Sequence, residues 1–400
     1  MPEALTFSTT AREARPAPFP LSGLLALATA GFITILTEAL PAGLLREISR
    51  DLHITQAMTG QLVTIYAIGS LMAAIPLTAA TRSMRRRPLL LGAITGFAVV
   101  NTVTAVSSDY AVIMGARFLA GVSAGLLWAL LAGYATRMVA PHQAGRAIAV
   151  AMVGTPIALS LGVPAGTFLG GTVGWRVSFG IMTALSVALI GWTLWKVPDF
   201  AGETGGDRPS LRRVLTMPGI RPILFVTLTF VLAHNILYTY IASYLQGAGL
   251  AGQVDRILLA FGIAAFGGIW VVGVRIDRWL RGLSIASVMI FLGGAILLGV
   301  GTTAPAIYAG VLVWGLAFGG AATLFQTAST HAAGTAADVA QSMIVTAWNI
   351  AIAGGGLIGG YLLETRGARV LPWSLCILLV PCLVIVLTAR RHGFPSAAPI

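Results

Sequence analysis

Residues 21–45 read LSGLLALATAGFITILTEALPAGLL, an apolar run long enough to cross the hydrocarbon core of a bilayer as a helix and interrupted by one charged side chain, Glu38. Further runs of this kind follow at 57–80, 88–107, 110–136, 145–170, 175–196, 221–246, 255–276, 283–302, 305–329, 339–363 and 370–389, making twelve predicted spans. Composition agrees with that count. Hydrophobic types make up 57% of the 400 residues and charged types 10%, and the mean hydropathy is +0.88; a soluble domain carries about 25% charge. A folded domain of this length has too little interior to hide so much apolar surface. A soluble globular protein is excluded, and the prediction is an all-α membrane protein of twelve transmembrane helices.

The formal net charge of +12 would point to nucleic acid in a soluble chain. Here the basic residues cluster in the short gaps between apolar runs, where they act as topology signals, and no nucleic-acid partner is expected. Of the 25 Lys and Arg residues, 18 fall on the side of the N-terminus, 6 on the opposite side, and Arg117 lies within a span. That bias predicts that both termini are cytoplasmic. The first 20 residues contain Glu3, Arg12, Glu13 and Arg15 and no apolar core, and the run that follows is too long for a signal peptide, so the N-terminus is expected to stay with the protein. Cys376 and Cys382 share one apolar run and suit neither a disulfide framework nor a metal site.

The longest polar gap, 197–220, holds Gly202, Gly205, Gly206, Pro209 and Pro218 and divides the spans six and six. The predicted organisation is a tail at 1–20, a six-helix bundle at 21–196, a cytoplasmic linker at 197–220, a second bundle at 221–389 and a tail at 390–400. The halves echo each other. Gly121 and Gly125 in span 4 match Gly315 and Gly319 in span 10 at an offset of 194; Trp175-Arg176 matches Ala368-Arg369 at 193, and Thr81-Arg82 matches Asp277-Arg278 at 196. Internal repeats of this kind build many secondary transporters, with the substrate site near the midplane between the halves.

Glu38 is the only carboxylate deep within a span. Ionised there, it costs several kcal/mol unless it is paired, faces water or takes up a proton, which makes it either a proton carrier or a structural group with a fixed partner. Arg117, at similar depth, is the natural partner, as a permanent tie or as one that opens when Glu38 is protonated. Span 5 carries Gly154, Pro156, Gly162, Pro164 and Gly166; its prolines break ladder bonds and its glycines permit bending and close packing, as a rocking interface needs, though an irregular helix without a moving part would read the same way. Span 7 carries His234, Asn235 and Tyr238 across the midplane, and His234 is either a satisfied buried histidine or one that titrates during function. Gln61, Trp128, Gln326, Trp348 and Asn349 complete the polar and aromatic groups within spans, a set that suits a neutral or amphipathic small molecule. Between spans, Arg82 and its neighbours Arg85, Arg86 and Arg87 read chiefly as anchors to anionic headgroups, while Asp277 and Arg278 end span 8, where Asp277 can tie loop to helix.

Taken together, the sequence resembles the major facilitator superfamily, and within it the proton-coupled drug and sugar efflux branch that includes arabinose efflux permeases and exporters of purine nucleosides and chloramphenicol. The resemblance covers about residues 20–390. It rests on Thr37-Glu38-Ala39-Leu40-Pro41-Ala42-Gly43-Leu44-Leu45, Gly60-Gln61-Leu62-Val63-Thr64, Arg117-Phe118-Leu119-Ala120-Gly121, the span-5 pattern, and His234 through Tyr240. It implies the two-bundle fold of that superfamily, a span-4 signature role for Arg117 and an antiporter signature in span 5. One departure stands out: the superfamily's cytoplasmic Gly-x-x-x-Asp-Arg-x-Gly-Arg appears here as Leu77-x-x-x-Thr81-Arg82-x-Met84-Arg85, without its glycines and its Asp, whereas Asp277 keeps the acid in the second half.

The expectation is a secondary transporter of the bacterial inner membrane that exports a small sugar, nucleoside or drug in exchange for protons. Glu38, Arg117 and His234 would couple the proton; Gln61, Trp128, Asn235, Tyr238, Gln326, Trp348 and Asn349 would line the substrate site; Arg82, Gly154, Pro156, Gly162, Pro164, Gly166, Asp277 and Arg278 would gate it. The energy source would be the proton motive force, with no cofactor or metal, and the working unit a monomer in the lipid bilayer. An uptake symporter or an uncoupled facilitator has the same sequence features. A non-transporting sensor is a more distant reading, and an enzyme would need clustered catalytic groups that the spans lack.

Overall fold

Without water in the bilayer core, each backbone N–H and C=O has to be satisfied within its own segment, and runs of this length therefore fold as helices. The computed structural model describes residues 19–81, 83–140, 143–202 and 210–394. Arg82 lies outside these residues, as do the side chain of Asp277 and most of the predicted tails. Among the described residues, twelve helices are long and apolar enough to cross a membrane: Leu21–Gly43, Gln56–Ala74, Arg86–Val106, Tyr110–Arg137, Arg146–Val173, Trp175–Lys196, Ile220–Thr239, Ala251–Ile276, Arg278–Val300, Ala304–Ala333, Val339–Arg366 and Ala368–Thr388, numbered spans 1 to 12 below. All twelve predicted runs are present. Large apolar side chains such as Trp195, Ile377 and Val106 point outward, as lipid-facing residues do, while spans 1 and 7 are the most enclosed and spans 6 and 12 the least.

The internal repeat is visible in the backbone. Span 1 ends at a break at Leu44 (φ −109°, ψ 19°) followed by the short helix Leu45–Asp51, and span 7 ends at Tyr240 (φ −111°, ψ 23°) followed by Ile241–Gly247. Span 7 thus stops short of the continuous helix predicted over 221–246. In the first bundle Gly121 and Gly125 lie against the span-2 backbone at Tyr66 and Ser70; in the second, Gly315 and Gly319 lie against the span-8 backbone at Phe261 and Ala265. A side chain at any of the four would collide with a carbonyl. Small residues are what allow such approach in lipid, where packing holds helices together.

Three local departures from regular helix follow from the sequence. Between Pro156 and Pro164 span 5 widens into a π-turn over Ala158–Gly162, since each proline lacks the N–H that an α-ladder requires. Spans 8 and 9 run on as one helix, Val254–Val300, kinked at Trp279 (φ −130°, ψ 23°), where separate helices with a gap were predicted. The predicted linker is also docked at both ends. Tyr134 Oη donates to the Pro198 carbonyl at 2.6 Å and the Arg86 N–H to that of Phe200 at 2.9 Å, while Val214, in the short helix Leu211–Leu215, is buried beside Ile220, Ala336 and Val339 of the second bundle. Beyond span 12, Phe394 is fully buried and its carbonyl accepts from Arg281 at 3.1 Å. Apolar residues in these short polar stretches find grooves at the bundle ends, which composition alone does not disclose.

Candidate functional site

In span 1 the less buried residues Leu25, Thr29, Phe32, Ile35 and Glu38 recur every three or four positions and form one helical row. Span 1 contacts spans 7 and 8 of the second bundle as well as its own bundle, and this row is its least enclosed face. Arg117, 1% exposed, packs behind it. Its Nη1 donates to the Thr37 carbonyl at 2.6 Å, Nη2 to the Glu38 carbonyl at 3.3 Å and Nε to the Leu62 carbonyl at 3.2 Å, and its guanidinium lies 4.9 Å from the centre of the Tyr66 ring. Pro41 has no N–H to offer Thr37, four residues earlier, so the guanidinium supplies the donor that the helix lacks. Tyr66 Oη donates to the Thr34 carbonyl at 3.1 Å, and Asn101 Nδ2 to Thr37 Oγ1 at 3.1 Å. Span 1 is thereby tied to spans 2, 3 and 4 through main-chain oxygens. Arg117 engages the backbone of Glu38, and Glu38 itself is half-buried.

The opposing wall is aromatic. His234 stacks on Phe318 with ring centres 3.5 Å apart, Tyr238 lies 5.6 Å from Phe261, and Phe261 lies 4.6 Å from Trp314. His234 Nδ1, Tyr238 Oη and Trp314 Nε1 are buried and unpartnered among the described residues. A buried polar group in that condition costs about 1–3 kcal/mol. Asn235 and Asn349 instead donate to carbonyls of their own helices, Val231 at 2.8 Å and Val345 at 2.9 Å. Trp348 is half-buried with its ring centre 6.1 Å from that of Phe318, and Trp128, also half-buried, packs its indole against span 1 at Gly31.

At the end opposite the linker the two bundles are joined by hydrogen bonds. Gln61 Nε2 of span 2 donates across to the Gly356 carbonyl at 3.3 Å and to Tyr240 Oη at 3.4 Å, while Tyr240 Oη donates to that same carbonyl at 2.7 Å within the second bundle. Ser243 donates to Gln56 Oε1 at 2.5 Å, Gln56 to Gln246 at 3.1 Å, Thr55 to Glu364 at 3.2 Å and Arg46 to the Ala251 carbonyl at 3.3 Å. The Tyr240 ring is seated among glycines, so that a Cβ on Gly60 or Gly359 would strike it. Gln61, expected to line a substrate site, sits in this seam.

At the linker end the polar groups pair within their own bundle. Gln341 Nε2 donates to the Gln326 carbonyl at 2.9 Å and to Thr330 Oγ1 at 2.8 Å, and the Gln326 side chain is exposed. Asp199, from the predicted linker, accepts from the Arg87 N–H at 3.0 Å and from Arg85 Nε at 2.5 Å. These contacts, the amide bond foremost, hold its carboxyl below the ordinary carboxylate range. A carboxylate thus meets the Arg loop after span 2, where the sequence motif lacks its Asp. In span 5, Gly154 abuts the Ala28 carbonyl, Gly162 lies against the Phe32 ring and Gly166 against Leu40, so the proline and glycine stretch is the face that meets span 1. Arg278 is exposed at the kinked junction of spans 8 and 9.

The structure sets Arg117 against the Glu38 segment of span 1 and His234 beside Tyr238 in the aromatic cluster of spans 7, 8 and 10; Gln61 lies in the seam, Asn235 and Asn349 bond to their own helices, and the Gln326 side chain is exposed. Sequence reasoning missed Tyr66, Phe261, Trp314, Phe318 and Asp199 as participants. Buried aromatics look alike along an apolar run, and a partner from a linker has no local signal.

A model of the Major Facilitator Superfamily matches residues 27–355. A chloramphenicol efflux pump of Mycobacterium tuberculosis is 30% identical over 409 residues, covering 98% of both chains. A purine ribonucleoside efflux pump of Escherichia coli is 29% identical over 342 residues, 83% of this chain and 85% of that one. A bacterial homologue of the human lysosomal transporter Spinster, in an inward-facing and occupied conformation, superposes with a TM-score of 0.76 at 13% identity, covering 95% of this chain and 99% of that one. With twelve membrane-length helices, a repeated architecture and a family match over most of its length, the chain belongs to the Major Facilitator Superfamily of membrane transporters.

Proposed function

We propose that this protein is a proton-coupled efflux antiporter of the bacterial inner membrane, with both termini cytoplasmic, that exports a small neutral or amphipathic solute by alternating access. The observation that carries the reading is the placement of Glu38: its half-buried residue lies on the least enclosed row of span 1, while Arg117, packed behind it, is held by main-chain carbonyls. A carboxylate so placed can gain and lose a proton without dismantling a salt bridge. The efflux activities in the names of the two relatives support the direction of transport.

In this reading the seam around Tyr240 is the periplasmic closure, and the described state is inward-facing. Solute enters from the cytoplasm between the bundles 21–196 and 221–389 as Glu38 releases its proton. The bundles rock about the contact of span 5 with span 8, where Gly262 lies against the Ser160 backbone, and protonation of Glu38 from outside releases the solute and favours return. A proton entering down 100 mV supplies about 2.3 kcal/mol, enough for modest accumulation.

The test is counterflow in proteoliposomes with chloramphenicol, inosine and arabinose, with and without an imposed pH gradient, comparing the wild type with Glu38→Gln. Uphill, gradient-dependent movement in the wild type and its loss in the variant is the expected result. Gradient-driven transport at the wild-type rate in Glu38→Gln would remove Glu38 as carrier, and exchange indifferent to pH in both proteins would make the chain a facilitator.

A further inference from the structure

Spans 7, 8 and 10 enclose an aromatic cluster with a feature that packing does not explain. His234, Tyr238 and Trp314, no more than 5% exposed, each carry a polar atom without a partner among the described residues, and all three rings are mutual neighbours: His234 to Tyr238 4.9 Å, His234 to Trp314 5.3 Å, Tyr238 to Trp314 6.2 Å. Phenylalanine at 238 and 314 would supply ring area of the same kind at no polar cost, as Phe261 and Phe318 do beside them. The Tyr hydroxyl and the Trp N–H are donors, His234 Nδ1 is a donor or acceptor by tautomer, and the cluster otherwise presents aromatic faces.

We propose that this cluster is a subsite for a flat aromatic ring bearing hydrogen-bond acceptors on its rim, the chemistry of a nucleobase or a nitroaryl group. The inference rests on the transport reading above and names the solute class for that site. In the described state the rings close on one another. A bound ring exchanges ring–ring contact for ring–ligand contact of the same kind, so opening the cluster is nearly balanced in stacking, while the orphaned O–H and N–H groups gain acceptors. A sugar can satisfy the donors but has no π face to replace the stacking that it disrupts.

The experiment is equilibrium binding of radiolabelled chloramphenicol, inosine and arabinose to the purified full-length protein in detergent. It compares the wild type with Tyr238→Phe and Trp314→Phe, which remove the donor and keep an aromatic ring, and thermal unfolding of each variant is followed in parallel. The expected result is binding of at least one of the two aromatic probes, weakened about tenfold by each substitution, with arabinose changed less than about twofold. The proposal is overturned if neither aromatic probe binds the wild type, if the aromatic probe is held equally by all three proteins, or if all probes weaken alike together with a loss of thermal stability. Binding without counterflow sinks the transport reading and leaves the subsite standing; counterflow of arabinose alone does the reverse.

Discussion

Arg117 Nη1 donates to the Thr37 carbonyl at 2.6 Å, the one acceptor in that turn of span 1 that Pro41 cannot serve. Arg117 and the proline of the Glu38 segment are thus two parts of one device. The helix lacks a donor, and a cation from span 4 provides it, with the neighbouring Glu38 carbonyl taking a second bond at 3.3 Å.

Arg117→Ala leaves the Thr37 carbonyl without a donor and takes a second bond from the Glu38 and Leu62 carbonyls, and should cost about 1–3 kcal/mol of stability. Pro41→Ala returns the helical N–H, so the double variant Arg117→Ala/Pro41→Ala should recover about 1 kcal/mol relative to additivity. Thermal unfolding of the four proteins in detergent measures the coupling, and strict additivity would disprove the link between the two residues.

Tyr240→Phe removes the hydroxyl that accepts from Gln61 Nε2 across the seam at 3.4 Å, besides its own-bundle bond to Gly356, while leaving the ring in its glycine seat. The closed state should lose about fivefold in population relative to the alternative. Distances between spin labels placed on the two bundles at this end report the shift directly, and an unchanged distribution would mean that the hydroxyl does not hold the seam.

Gly154→Ala drives a methyl into the Ala28 carbonyl of span 1, an overpacking worth about 1–3 kcal/mol. Gly171→Ala, in the same glycine-rich stretch, meets nothing within 4 Å and should be neutral. Comparing melting temperatures and counterflow rates of the two variants separates a packing requirement from general helix flexibility.

Asp199 contributes in its ionised form, because the Arg87 amide and the Arg85 guanidinium hold its carboxyl below the usual range. A depressed value in the folded state means that the contribution is complete above the ordinary carboxylate range and fades as pH falls through the lowered folded value. Asp199→Asn should therefore lower the melting temperature by about 2–4 °C at neutral pH. The gap should narrow only in acid below the ordinary range; a gap that does not change with pH would assign the effect to packing.

The row Leu25, Thr29, Phe32, Ile35 and Glu38 was readable as a candidate site only through its single carboxylate, because nothing local distinguishes a cavity-facing apolar residue from a lipid-facing one. Gln61 shows the limit from the other side. It is a polar residue inside a span, and the structure has it closing the seam with Tyr240 and Gly356. Asp199 was invisible for a different reason: its Arg partners lie more than a hundred residues earlier, and only the docking of the linker start onto the first bundle brings them together.

Length, hydropathy and the spacing of small residues by themselves determined the twelve helices, their division into two bundles and the repeat that relates them, since a bilayer leaves a backbone few ways to satisfy its hydrogen bonds. The tertiary structure alone decided which polar groups meet. It turned Arg117 onto the carbonyls around Pro41 and gathered His234, Tyr238 and Trp314 from two spans into one cluster. The physical reason is that helix formation in lipid is local and dictated by composition, whereas rotation of each helix about its axis is set by close packing against neighbours distant in the chain.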